Sequence, residues 1–378
     1  MTPARARVLV FVVTVDWFFA SHFLARALAA RAAGWRVVVL ASESAAGARI
    51  RALGIELVPV AFDRASLNPL AQMRLVWRLA GLYRALAPDL VHHVAMKPIL
   101  LGGLAARLAG VGHVVNAPVG LGFVFSSGGW LARGLRPLVR AWLRVTLTPS
   151  NAVAVFENEA DRDEMLRARL ARAGRVRVIA GAGVDGARFA PTPAPAGPVR
   201  VAMAARLIGA KGVALYAEAA GRLRGRAEFL LAGAPDAGNP DGFSADEIRA
   251  LAARHGVVWL GGVADMAGLL ASVHIVCLPS YYGEGLPKIL LEAMACGRAV
   301  VASDIAGCRA ALGDEAGLLV APRDVDGLCA ALARLIEDAP LRARLGAAGR
   351  ARVEAGFLDA HICTQTLALY DELTVMGD

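Results

Sequence analysis

The stretch HIVCLPSYYGEGLPKILLEAMACGRAVVASD, residues 274–304, contains a complete strand–loop–helix–strand unit. HIVCLPS is a short continuous apolar run, which marks a strand buried on both faces. YYGEG is then the loop leaving its carboxyl end. Pro287 fits the first turn of a helix and Gly297 its C-terminal stop. RAVVASD is the next buried strand. A repeated βα pattern of this kind implies a parallel sheet with helices on both faces.

The pattern extends along the whole chain. ARVLVFVVTV (6–15), WRVVVLAS, IELVPV, DLVHHVA and HVVNAPVG read as strands. Between them, SHFLARALAARAAG reads as a helix, with Ser21 as its N-cap and Gly34 as its stop. NPLAQMRLVWRLAGLYRALAP is helical up to Pro88, and a helix runs through GGLAARLAG. PTPAPAGP (191–198) breaks the series, and VRVAMAARL, AEFLLAG and VVWLGG then resume it. Residues 325–378 read as mostly helical. The expected fold class is therefore α/β, with two doubly wound Rossmann-like domains and an interdomain cleft. Ligands are expected there, at the carboxyl ends of the strands. The expected bounds are 1–190, 191–355, and a C-terminal helix over 356–378 packing back on the first domain.

At 378 residues the chain is long enough for two such domains. Its alanine richness and its preference for Arg over Lys resemble high-GC codon usage and carry no functional weight. No uncharged apolar run reaches the roughly 18 residues of a membrane-spanning helix. The N-terminus imitates a signal peptide, but Asp16 breaks the apolar run, and a buried first strand is the expectation. The five cysteines show neither CxxC pairing nor metal spacing, as expected of reduced core thiols in the cytoplasm. The charge divides unevenly: residues 1–190 carry 24 Lys+Arg against 11 Asp+Glu, and residues 191–378 carry 17 against 21. The two halves thus face different partners. Nucleic acid, an anionic membrane and a phosphorylated acceptor are the candidates for the basic half.

Glu284 lies in the loop just before the helix of the opening stretch, and Glu292 lies inside that helix. The backbone N–H groups of Gly285 and Leu286, at the helix N-terminus, can meet a phosphate or a sugar hydroxyl. A carboxylate at each end of this turn can accept hydrogen bonds from a polyol. The competing reading has Glu284 serving the helix dipole and Glu292 pairing with a surface arginine. Spacing leaves both readings open.

The stretch Glu284-GLPKILL-Glu292 and its sequel AMACGRAVVASDIAG resemble the retaining glycosyltransferases of GT-B fold, family 4. AARLIGAKG, with Arg206 and Lys211, and GAGVDGARF (181–189) resemble other runs of that family. The resemblance implies that Glu292 binds the ribose of a nucleotide and Glu284 the donor sugar. Gly285, Leu286, Pro287 and Lys288 complete the donor site. Arg206 and Lys211 would neutralise the departing diphosphate, since fixed cations aimed at developing charge stabilise the transition state. No DxD run lies near these residues, and no metal or other cofactor is expected.

TVDWFFASH (14–22) lacks the Gly-Gly loop common in the wider family. Together with HHVAMKPILLGGLAAR and NAPVGLGFVFSS it looks more like the branch acting on polyprenyl-diphosphate-linked saccharides. That likeness implies an acceptor site with Asp16, Lys97, His93 and Asn116. Asp16 needs a partner in so apolar a setting. Trp17, Phe18 and Phe19 read equally well as stacking or as core residues. IAGCRAALGDEAGLLV carries Ala310 where relatives often have Glu, and a modest structural consequence is expected.

In GGWLARGLRPLVRAWLRVTL (128–147), Arg133, Arg136, Arg140 and Arg144 fall three and four apart and form one stripe on a helix, with Trp130 near its start. Such a helix can lie on an anionic membrane, or it can be a solvated face over the core. No RNA-binding signature is visible, so nucleic acid is not an expected partner. The expected function is sugar transfer from a UDP-sugar to a polyprenyl-diphosphate-linked saccharide in bacterial surface glycan synthesis. The expected place is the cytoplasmic face of the membrane, as a peripheral protein. Transfer to a phospholipid or small molecule, or non-catalytic nucleotide-sugar binding, are the alternatives. No GxGxxG follows the first strand, which disfavours an NAD-dependent oxidoreductase.

Overall fold

The computed structural model describes residues 5–63, 68–119, 130–236, 239, 241–281 and 283–375, with only the backbone at 130–138 and 375. The first sheet holds β1 (Val8–Val15), β2 (Arg36–Ser42), β3 (Glu56–Pro59), β4 (Leu90–Val94), β5 (Val114–Ala117), β6 (Ala152–Phe156) and β7 (Val176–Val178). Its order is β3-β2-β1-β4-β5-β6-β7, and the pairs are parallel. The intervening helices are α1 (Asp16–His22), α2 (Leu24–Ala32), α3 (Ala46–Ala52), α4 (Pro69–Leu86), α5 (Met96–Ala109), α6 (Trp130–Leu147) and α7 (Glu159–Arg167).

Six consecutive residues of β1 are buried because helices cover both faces of the sheet. Val8, Val10 and Val12 pack with residues of α4 and α5. Leu9, Phe11 and Val13 pack on the other face with α2, α3 and the last helix of the chain. The α4 start is well defined: Pro69 occupies the first turn, and Asn68 Oδ1 accepts from Leu70 N at 3.0 Å. The first helix, in contrast, begins earlier than expected. The chain is already helical at Asp16, an acidic residue at the positive helix end, and Ser21 lies inside α1.

The second sheet holds β8 (Arg200–Ala204), β9 (Glu228–Ala232), β10 (Val257–Gly261), β11 (Ile275–Leu278), β12 (Ala299–Ser303) and β13 (Leu318–Val320). Its order is β10-β9-β8-β11-β12-β13, again with parallel pairs. Its helices are α8 (Val213–Arg222), α9 (Ala245–His255), α10 (Met266–Ala271), α11 (Lys288–Ala295), α12 (Ala306–Leu312), α13 (Val325–Glu337) and α14 (Ala339–Gly356). The last helix, α15, spans Asp359–Val375.

One compact unit comprises Met1–Ala182 and Asp359–Asp378, and the other Gly183–Leu358. The first division thus falls before the proline-rich stretch, not at 190. Val184 N donates to Phe357 O at 2.9 Å, and Arg350 holds the carbonyls of Phe189 and Ala295. Residues 183–189 are thereby knitted into the second unit. In the first unit, α15 is held by Tyr370 Oη against His92 Nδ1 at 2.6 Å and by the Arg7–Asp371 pair at 2.8 Å.

His93 carries a titration prediction. Its ring is fully buried, and burial pushes its pKa down to about 4. The neutral ring favours the folded state, so its stabilising contribution is complete above the ordinary value near 6.5. That contribution is lost as pH falls from there through about 4. Asp161 works in the opposite sense, because burial pushes its carboxyl up to about 6. The His93 ring resonance followed by NMR is therefore a cleaner readout than net stability. Its expected midpoint is near 4, and a midpoint near 6.5 would contradict the buried placement.

Candidate active site

In the second sheet the chain starts at β8, builds outward through β9 and β10, then crosses back to place β11 on the other side of β8. The strand order therefore reverses between β8 and β11, and loops leaving their carboxyl ends there diverge and open a crevice. Arg206 and Lys211 follow β8, and Glu284 follows β11. The fold brings Lys211 and Glu284 together across 73 positions of sequence: Lys211 Nζ is ion-paired with Glu284 Oε1, their side chains only 14% and 12% exposed.

The pair is held by a backbone frame. Ser280 Oγ donates to Glu284 Oε1 at 2.8 Å and lies 3.2 Å from the Ala210 carbonyl, which also accepts from Tyr281 N at 3.0 Å. On the other side of the turn, Asp241 accepts from Ala210 N at 2.7 Å and from Gly209 N at 2.8 Å. Beneath the loop, a Cβ on Gly307 would lie 2.5 Å from the carbonyl oxygens of both Glu284 and Gly285. Only glycine lets α12 approach this closely. Cys308 beside it is buried, and burial first and the Glu284 carboxylate second raise its pKa, so it is an inert thiol.

Pro287 is the N-cap of α11, and Gly285, Leu286 and Pro287 are buried. Glu292 lies one turn into the helix, 13% exposed, with Lys288 Nζ 3.9 Å away. That lysine stands on the same helix, four residues before Glu292. Arg206 is more open and contacts Asp236 Oδ2 at 3.4 Å. Among the described residues, no group of three or more His, Cys, Asp or Glu side chains could hold a metal ion.

The first unit treats its four expected acceptor residues differently. Asp16 is fully buried, and its two carboxylate oxygens accept from Ser44 N at 2.7 Å and Ser44 Oγ at 2.5 Å. It finds the partner its surroundings demand, but as a strut between the start of α1 and the β2–α3 loop. His93 and Asn116 require a correction. Both have no exposed surface; His93 lies between Tyr83 Oη at 3.0 Å and Asn116 Oδ1 at 2.9 Å. Asn116 Nδ2 donates to Thr146 O at 3.1 Å. They form a satisfied polar bridge from α4 to α6 and pack the core. Lys97 is half-buried at the start of α5, donates to the Asp63 carbonyl, and has its pKa lowered by burial. Of the aromatic trio, Phe19 is core, Phe18 stacks on His22 at 4.2 Å, and Trp17 is 38% exposed.

The expected arginine helix is present as α6. Leu143 and Leu147 are buried while Arg140 and Arg144 are exposed; the side chains of Trp130, Arg133 and Arg136 lie outside the described residues, as does 120–127 of NAPVGLGFVFSS. Ser280, Asp241 and Gly307 escaped the sequence reading. A serine directly after a buried strand is the one signal that could have pointed to Ser280.

Two family profiles match the chain: "Glycosyl transferase 4-like" over residues 8–154 and "Glycosyl transferases group 1" over 198–338. A relative in Campylobacter jejuni, N,N'-diacetylbacillosaminyl-diphospho-undecaprenol alpha-1,3-N-acetylgalactosaminyltransferase, is 30% identical over 341 residues, covering 86% of this chain and 88% of its own. The chain belongs to the GT4-like glycosyltransferases. It is an enzyme of sugar transfer with the two-sheet GT-B fold. Among solved structures, sucrose-phosphate synthase from Thermosynechococcus elongatus superposes with TM-score 0.80 at 21% identity, over 98% of this glycosyltransferase and all of that chain. Anabaena HepE in complex with UDP and glucose superposes with TM-score 0.78 at 19% identity, over 96% and 98% of the two chains. Among the described residues, no helix of the enzyme is long and apolar enough to cross a membrane.

Proposed function

We propose that this glycosyltransferase is a retaining enzyme that moves a sugar from a UDP-sugar to a polyprenyl-diphosphate-linked saccharide in bacterial surface glycan synthesis. Its place is the cytoplasmic face of the membrane, as a peripheral protein. The observation that carries the donor half is the placement of Lys211, Glu284 and Arg206 where the strand order of the second sheet reverses. The name of the Campylobacter relative supports the lipid-linked acceptor, and the UDP bound to HepE supports the nucleotide.

In this reading the donor diphosphate competes with Glu284 for the Lys211 ammonium. Binding then frees the carboxylate to accept from sugar hydroxyls, while the N–H groups of Gly285 and Leu286 face the phosphate. Arg206, the more open cation, closes on the same charge. Together the two cations stabilise the leaving UDP, so no metal is required by this mechanism. Pro287 fixes where α11 begins, and Lys288 stands beside Glu292, which accepts from the ribose hydroxyls. Lys97 meets the acceptor diphosphate, and the arginines of α6 rest on the anionic membrane surface.

The decisive experiment incubates the enzyme, in EDTA, with a panel of UDP-sugars and a lipid-linked acceptor, and reads products by mass and anomeric configuration by NMR. A product with the donor's configuration is expected; no product from any UDP-sugar, or an inverted one, overturns the reading. Glu292→Ala is expected to weaken donor binding by about 10- to 100-fold with a smaller change in kcat, as for a lost hydrogen bond to a charged group. Unchanged UDP affinity by calorimetry would remove Glu292 from the ribose.

A further inference from the structure

The outward face of α4 carries Leu70, Met73 and Trp77, which are 67%, 40% and 57% exposed. Their spacing of three and four puts them on one side of the helix, over about two turns. Arg74 and Arg78 flank them and are exposed. Among the described residues the stripe lies outside the core of the first unit, to which α4 contributes Val76, Leu79, Ala80 and Tyr83.

We propose that α4, with its neighbours α5 and α6, forms a docking face for an anionic lipid bilayer, and that Leu70, Met73 and Trp77 enter the bilayer interface. The three helices are joined edge to edge: Arg84 Nη2 donates to Leu108 O at 2.7 Å, and Arg107 Nη1 lies 3.4 Å from Val145 O. Leu108 and Val145, at these seams, are themselves 40% and 46% exposed. These three helices carry cations alone. α4 carries three arginines, α5 one lysine and one arginine, and α6 four arginines, while none of the three contains an Asp or Glu. The carboxylates of the neighbouring helices lie elsewhere: Glu159, Asp161, Asp163 and Glu164 on α7, and Asp359, Asp371 and Glu372 on α15.

This composition selects the occupant. Apolar residues including a tryptophan, flanked by arginines, fit the boundary between acyl chains and anionic headgroups. A second copy seated on the same three helices would bring cationic surfaces together with no carboxylate on α4, α5 or α6 to meet them. Nucleic acid would meet the arginines but has no complement for Leu70 and Met73. The inference extends the membrane contact proposed above from α6 to α4, and its test does not depend on the acceptor.

The test is flotation of the full chain with vesicles of phosphatidylcholine alone or mixed with phosphatidylglycerol. The wild type is expected to float with the mixed vesicles and much less with the neutral ones. The triple variant L70S/M73S/W77S should lose roughly tenfold or more of that binding while keeping its thermal unfolding curve. Brominated lipid should quench the wild type more strongly than Trp77→Phe, an arm that survives if the triple variant folds poorly. Equal flotation of triple variant and wild type, equal binding to neutral vesicles, or quenching unaffected by Trp77→Phe each overturn the proposal. So does a lipid-free dimer that the triple variant dissociates. If α4-dependent binding is found but no lipid-linked acceptor is glycosylated, the acceptor reading fails and this one stands.

Discussion

Lys211→Met is expected to lower kcat/KM by roughly 10²–10³, the usual cost of removing one preorganised group aimed at developing charge. Two effects contribute. The leaving diphosphate loses a cation, and Glu284, 12% exposed, loses its ion-pair partner. An unpaired, largely buried carboxylate is destabilising in its own right, because desolvation is no longer offset by Coulomb attraction. The effects separate in a double-mutant cycle. Adding Glu284→Gln to Lys211→Met removes the stranded charge, so it should recover part of the lost stability and none of the lost rate. Urea unfolding and initial transfer rates on the four proteins measure both. A single Lys211→Met variant with kcat/KM within about threefold of wild type would remove Lys211 from the catalytic machinery.

The fold was legible because parallel strands covered on both sides must be apolar along their length, and VLVFVVTV and IVCL announce themselves. The unit boundary was not. PTPAPAGP has the composition of a linker, but proline lacks only a donor, and its carbonyls still bond. Arg298 reaches Thr192 O at 3.0 Å, and His274 Nε2 lies 3.0 Å from Pro195 O, which ties the stretch to the second unit. Composition does not reveal such partners, which lie 106 and 79 residues away in sequence. The site divides along the same line. A carboxylate in the loop after a buried strand stands out, so Glu284 was visible, and Lys211 was visible through the family resemblance of AARLIGAKG. The frame that aligns them, Ser280 and Asp241 on the Ala210 peptide, consists of side-chain-to-backbone contacts that no residue type signals. His93 and Asn116 failed for a different reason. Polar residues in a strand suggest a ligand, but alternation turns these two into the α4 side of the sheet, where Tyr83 satisfies the ring.

The second large effect concerns a residue with no side chain. Gly212 follows Lys211 with φ +79°, and a Cβ there would lie 2.1 Å from the Pro279 carbonyl oxygen and 2.7 Å from its carbon. Both obstacles are backbone, so neither can swing aside as a side chain would. Gly212→Ala therefore has to separate the Lys211 turn from the strand end that carries Ser280. That movement breaks the Tyr281 N–Ala210 O bond of 3.0 Å and weakens the Ser280 contacts that align Glu284. A stability loss of about 2–4 kcal/mol is expected, from left-handed backbone strain plus overpacking. The molecules that remain folded should transfer sugar roughly 10- to 100-fold more slowly, because the reacting groups are misaligned by an ångström or so. Gly225→Ala is the matched control: its φ is +81°, but nothing lies within 4 Å of the added Cβ. It isolates the conformational strain of a non-glycine residue in this region, about 1–2 kcal/mol, with no consequence for rate. Calorimetry and transfer assays on the two variants then compare one backbone strain with and without the collision. If both variants lose the same stability and neither loses rate, the Lys211 turn does not depend on close contact with Pro279. If only Gly212→Ala slows transfer, the approach of these two loops is what holds the cation and the carboxylate in register.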